Sequence, residues 1–220
     1  MSPLLRALAV LTAVGSFACT TTQQPVEASS SIEVIEEGNG GGSALQEVET
    51  QDGFRVKLPT PTEPTRNSAQ LAEGEVHVAA WSAQDMSGVT YSIAIADYPE
   101  ALVAKITPDV FLSEGRKGVM AELTNAEIVE ESAVELEGHP GTAYTINSDN
   151  GTVKGRNYLV GNRLYTQLVI FNSAVGAPEA DTFLNSLELI DPPAAPAAEP
   201  VEGEEAVELE DQDASDADME

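Results

Sequence analysis

Cysteine is almost absent. The 220-residue chain has one, Cys19, and so cannot close a disulfide within itself. Any folded part must be held by its core, which a stretch of about 140 residues can supply without cross-links. Basic residues are scarce too: 10 Lys and Arg stand against 37 Asp and Glu, a formal net charge of −27. A nucleic-acid partner needs a neutralising basic stripe, and the sequence has none. An anionic membrane surface would repel the body of the protein for the same reason. No apolar run approaches the roughly 20 residues that a membrane-spanning helix requires.

The negative charge is unevenly placed. Residues 20–50 carry six acidic groups and residues 192–220 carry eleven, with no Lys or Arg in either stretch. Residues 51–191 keep 20 acidic and 9 basic side chains. Two uncompensated flanks around a more balanced middle read as solvated, self-repelling segments rather than as a trap for a basic partner or a cation.

At the amino end, Arg6 precedes the compact apolar run 7–14, and Gly15-Ser16-Phe17-Ala18-Cys19 follows. Positive charge, apolar run and small residues come in the order of a secretory signal. With Ala18 before the only cysteine, this stretch is similar to a bacterial lipoprotein signal, although Ser16 stands where that family usually has Leu and Phe17 is bulkier than usual. The resemblance implies that the Cys19 thiol receives diacylglycerol and becomes the first mature residue, which makes the membrane a partner through the lipid. The alternative is ordinary cleavage after Ala18, releasing a periplasmic or secreted protein with a free thiol. An unpaired thiol in an oxidising compartment favours the anchor.

Residues 20–50 are rich in Thr, Ser, Gln and Gly and lack apolar periodicity, so a flexible linker is expected there. Pro192, Pro193 and Pro196 end the last structural element, and residues 192–220 form an acidic tail expected to be disordered. The tail lacks the fixed spacing and turn glycine of a calcium loop.

The middle, 51–191, reads as one α+β domain. Residues 53–58 alternate apolar and charged as a half-buried strand does, and Pro59, Pro61 and Pro64 end it. Residues 75–82 and 89–96 are strands joined by a hairpin through Asp85-Met86-Ser87-Gly88. Thr107-Pro108-Asp109 opens a helix with a hydroxyl cap; Val110, Phe111, Val119 and Leu123 form its apolar face, and Gly115 and Gly118 weaken it. Strands follow at 126–136, 142–147, 155–160 and 163–171, with turns at 137–141, at Asp149-Asn150-Gly151 and at Gly161-Asn162. In the last of these strands both faces are partly apolar, which predicts a central strand covered on each side. A short helix at 180–186 and a strand at 187–190 close the domain.

Gly138-His139-Pro140-Gly141, Gly155-Arg156-Asn157-Tyr158, Gly161-Asn162-Arg163-Leu164-Tyr165 and Phe183-Leu184-Asn185-Ser186-Leu187 together resemble the PsbP-like (Mog-type) sandwich. That group includes photosystem-associated lumenal proteins and many bacterial lipoproteins. The resemblance covers roughly 51–190 and implies an antiparallel sheet flanked by helices, an α/β/α sandwich that binds or assembles, usually without catalysis. It supplies no ligand residue.

Chemistry is hard to find in the residues themselves. His77 and His139 have no partner at metal-ligand spacing. Ser87 and Ser92 have no base beside them in sequence, and no GxSxG elbow exists. Glu130-Glu131 is an acidic pair in a chain full of acids. The glycine-rich 38–42 stretch lacks the lysine and the strand–helix frame of a phosphate loop, and Asn150-Gly151-Thr152 reads as a turn rather than a glycosylation site. Lys154, Arg156 and Arg163 are the densest basic group, and pairing with nearby carboxylates is the simpler expectation than a cationic patch. The sequence therefore predicts no catalytic, metal or cofactor residue, and one site, Cys19. It points to an exported, lipid-anchored cell-envelope protein, a non-catalytic binding or assembly module for an unknown envelope partner. A secreted soluble protein and an enzyme of unrecognised type are the rivals.

Overall fold

The computed structural model describes residues 45–193; Cys19, most of the expected linker and nearly all of the acidic tail lie outside them. Strand β1 (Gln46–Glu49) pairs antiparallel with β2 (Phe54–Leu58). Next come β3 (Thr65–Leu71), β4 (Gly74–Gln84) and β5 (Thr90–Asp97). Two helices follow, α1 (Glu100–Val103) and α2 (Pro108–Ala121). A meander of β6 (Glu127–Leu136), β7 (His139–Ser148), β8 (Gly151–Val160) and β9 (Arg163–Phe171) leads to α3 (Ala180–Leu184) and β10 (Glu188–Leu189).

The large sheet has seven strands in the order β3-β4-β5-β9-β8-β7-β6, every neighbouring pair antiparallel. The helical excursion after β5 carries the chain to the far edge, and the meander returns it to the middle. Strand β9 is the fourth of the seven, as its two-sided apolar pattern predicts. Tyr165, Gln167 and Val169 are buried on one face and Leu164, Thr166 and Leu168 on the other.

Each face has its own cover, which makes the fold an α+β sandwich. On the first, β1, β2 and β10 form a three-stranded sheet that packs with α3 over Trp81, Tyr91, Ile93, Tyr165 and Val169. Phe54 meets Trp81 edge-on at 5.0 Å and Tyr165 at 5.8 Å, and Tyr91 meets Phe183 at 5.5 Å. On the second face, α1 and the start of α2 cover Val78, Ala96 and Leu164, with Tyr98 and Phe111 at 4.8 Å. Val119, Met120 and Leu123 extend this cover over Tyr144, Ile146 and Leu168.

Several expectations need correction. Strand β1 lies in the stretch read as linker: its one apolar residue, Val48, packs on the core and its backbone pairs with β2, a non-local gain that its polar neighbours conceal. Strand β3 and helix α1 form in stretches to which the sequence pattern assigns no element. The turn read at 137–141 is shorter, because β7 already begins at His139 and pairs it with Leu136. Thr107 occupies the N-cap position of α2 in an extended conformation, yet its hydroxyl makes no capping bond. Val110 points to solvent, while Leu112 is buried. Gly115 and Gly118 are buried rather than merely tolerated: a Cβ at Gly115 would lie 3.1 Å from Leu164 and 3.2 Å from the Asn157 amide, so glycine sets how closely α2 sits on β8 and β9.

Candidate functional site

At the β3 end of the large sheet, no residue of β3 belongs to the core packed under the three-stranded sheet. A groove of about 460 Å³ remains there, lined among others by Asp52, Arg66, Ser68, His77 and Asp97. A second hollow of about 590 Å³ adjoins it through Asp52 and is bordered by Arg163 and Asp191. Period-two geometry places Ser68, His77 and Asp97 in one row, because Ser68 is the register partner of His77 on β4 and His77 that of Asp97 on β5.

Those are the residue types of a nucleophilic triad, but they are not wired as one. Both carboxylate oxygens of Asp97 are taken by Arg163, whose Nε donates to Oδ1 at 2.6 Å and Nη2 to Oδ2 at 2.9 Å. Exposed His77 turns its Nε2 toward Glu75 at 3.9 Å. The base of a triad must reach both the nucleophile and its orienting acid, and no hydrogen bond joins these three side chains.

Two guanidinium–carboxylate forks organise the groove instead. Arg66 donates to both oxygens of Asp52, at 3.0 and 2.8 Å, with its guanidinium carbon 6.0 Å from the Trp81 ring centre. Arg163, besides gripping Asp97, donates from Nη1 to the Asp52 carbonyl oxygen at 2.6 Å. The 50–53 turn is thereby fixed to the large sheet from both sides. Burial pulls the Arg163 pKa down, and the Asp97 carboxylate more than restores it, so the guanidinium stays charged. Bonding to Asp52 holds Arg66 charged likewise. The Tyr165 hydroxyl is buried without a hydrogen-bond partner; burial raises its pKa, and the Arg163 charge opposes the rise.

The basic trio noted in the sequence is not a patch. Lys154 approaches Asp181 at 3.4 Å. Arg156 donates to the Leu184 carbonyl at 3.1 Å and to Asn185 Oδ1 at 2.8 Å, tying α3 to β8. Arg163 borders the second hollow and grips Asp97 of the groove. His139 begins β7, on the other side of the sheet centre from His77. Ser87 donates to Asp85 Oδ1 at 2.7 Å within the hairpin, and Ser92 is buried in β5. Glu131 pairs with Arg116 of α2, and Glu130 stays exposed on β6. Cys19 is outside the described residues. Among those residues no three His, Cys, Asp or Glu side chains gather as metal ligands would. Sequence reasoning missed Asp52, Arg66 and Asp97, which become neighbours only through strand register and a long-range turn.

No protein-family model matches the chain, and no curated protein matches it. Among solved structures, the chain is similar to cyanobacterial PsbP (CyanoP) from Synechocystis sp. PCC 6803, with 14% identity over 70% of this chain and 98% of that one and a TM-score of 0.40. It is also similar to PA94, a protein of unknown function from Pseudomonas aeruginosa, with 6% identity over 60% and 85% of the two chains and a TM-score of 0.35. Both likenesses concern the fold alone.

Proposed function

We propose that this chain is an exported cell-envelope protein, anchored by a lipid on Cys19, whose domain is a non-catalytic binding or assembly module for an envelope partner. Support for the address comes from the sequence, where the only cysteine directly follows a charged, apolar and small-residue leader. The module reading rests above all on the Arg163–Asp97 fork. It occupies the carboxylate that a Ser68–His77 pair would need, and leaves a groove walled by fixed charge pairs that can recognise a polar partner surface. Residues 20–44 separate the cysteine from the first described residue and have the composition of a spacer.

Replacing Cys19 with Ala and following fractionation tests the anchor. The parent is expected in the detergent phase with an acylated first residue by mass spectrometry, and the variant in the aqueous phase. Unchanged partitioning, or an unacylated first residue in the parent, sinks that half. For the module, turnover of any substrate that disappears in Ser68→Ala or His77→Ala would overturn the non-catalytic reading.

A further inference from the structure

Of the two outer strands of the large sheet, one is guarded and the other is not. Strand β6 carries Glu127, Glu130, Glu131 and Glu135 and a register shift between Ile128 and Glu130. Such charges and bulges discourage another chain from pairing along an edge. Strand β3, TRNSAQL, has no proline, no bulge and a single charged side chain, Arg66. It keeps regular register with β4 through all seven residues, and no strand lies on its outer side among the described residues.

We propose that β3 pairs antiparallel with β3 of a second copy of this chain, about a two-fold axis at Ser68. An axis normal to the sheet makes one residue face itself, and centring on Ser68 engages the whole strand: Thr65 opposes Leu71, Arg66 opposes Gln70 and Asn67 opposes Ala69. Arg66 therefore meets no charge of its own sign. Arg66, Ser68 and Gln70 share one face of the strand, and Gln70 is the register partner of Glu75 on β4. Each Arg66 then lies one strand beyond Gln70 from the Glu75 of the other copy, within reach of its long side chain, and symmetry gives the contact twice. Arg66 is 57% and Glu75 47% exposed; in the dimer Arg66 would exchange its fork to Asp52, whose side chain is 16% exposed, for the Glu75 of the other copy.

Charge complementarity selects a second copy as the occupant. The incoming strand must place a cation beside Glu75 and a neutral side chain opposite Arg66, and TRNSAQL does both. The pairing would join two seven-stranded sheets edge to edge and bring two grooves onto one face. It does not depend on the lipid anchor.

Mild oxidation of the Cys19→Ala chain carrying Ser68→Cys tests the pairing, with Ser132→Cys on β6 in the same Cys19→Ala background as the control. The expected result is a covalent homodimer from position 68 and not from position 132. Arg66→Glu or Glu75→Arg alone should cut the dimer yield about tenfold, and combining the two should restore it. Absence of a dimer at position 68, equal cross-linking at both positions, failure of the combined reversal to restore the yield, or capture of a different chain at position 68 would each overturn the proposal.

Discussion

The ring of Tyr144 on β7 lies across Gly155, its register partner on β8, in the space where another residue would carry its Cβ. A second pair, Tyr158 against Gly141, joins the same two strands in the opposite sense. Tyr144 packs under α2 and Tyr158 beneath the three-stranded sheet, so β7 and β8 are stitched on both faces. Each glycine gives up a side chain so that a buried aromatic can cover the neighbouring backbone.

Gly155→Ala should therefore be costly despite adding a single carbon. Neither the ring nor the sheet backbone can yield cheaply, and overpacking of this kind costs about 1–3 kcal/mol. Urea unfolding should show a lower midpoint with an unchanged slope. Tyr144→Phe is the contrast: it keeps the ring and loses the hydroxyl contact to Asn157 at 3.1 Å, a loss of about 1 kcal/mol. A negligible shift for Gly155→Ala would mean that the ring has room to move.

Arg163→Met should destabilise the domain by about 1–3 kcal/mol, because it strands the half-buried Asp97 carboxylate and frees the Asp52 carbonyl. Asp97→Asn removes only the charge. In a double-mutant cycle the two changes should couple by at least about 1 kcal/mol. Amide exchange should accelerate in the 50–53 turn for Arg163→Met more than for Asp97→Asn, since only the former lets go of Asp52. Simple additivity would show that the fork is ornamental to stability.

Asp85 and Tyr91 set opposite ends of the pH response. Burial would raise the Asp85 pKa, but bonds from the Ser87 hydroxyl, the Val89 and Ser87 amides and the Tyr91 hydroxyl outweigh it and hold the carboxyl below its usual value. A depressed folded pKa stabilises at pH above the unfolded value, and this contribution is lost as pH falls through the folded one, below about pH 4. Tyr91 is pushed up to about 12, by burial first and then by the Asp85 charge. Its contribution is complete below about pH 10 and fades as pH rises toward 12. Tyr91→Phe should accordingly flatten the alkaline limb of stability between pH 10 and 12, with phenolate absorbance of the parent rising late in the same window. An alkaline limb identical in parent and variant would contradict this.

Much of the fold is legible along the chain. The two-sided pattern of β9 places it at the sheet centre, and the turn residues mark the hairpins joining β4 to β5, β7 to β8 and β8 to β9. What escaped has a common cause. Strand β3 is exposed along most of its length and β1 has one inward residue, so neither leaves the alternation that betrays a buried strand. Val110 turns outward and Leu112 inward, against the expected apolar face, because a run of apolar residues does not say which side of a helix the sheet will take.

The groove was less legible still. Nothing near Arg163 in the sequence announces Asp97, 66 residues earlier, or Asp52, 111 residues earlier. Chain-local pattern determined the buried strands and which of their faces turn inward, because burial leaves a period in the residues that undergo it. Strand order and register, set by packing across the whole domain, decided which charges meet, and through them that a row of serine, histidine and aspartate holds an arginine fork where a triad would need a histidine.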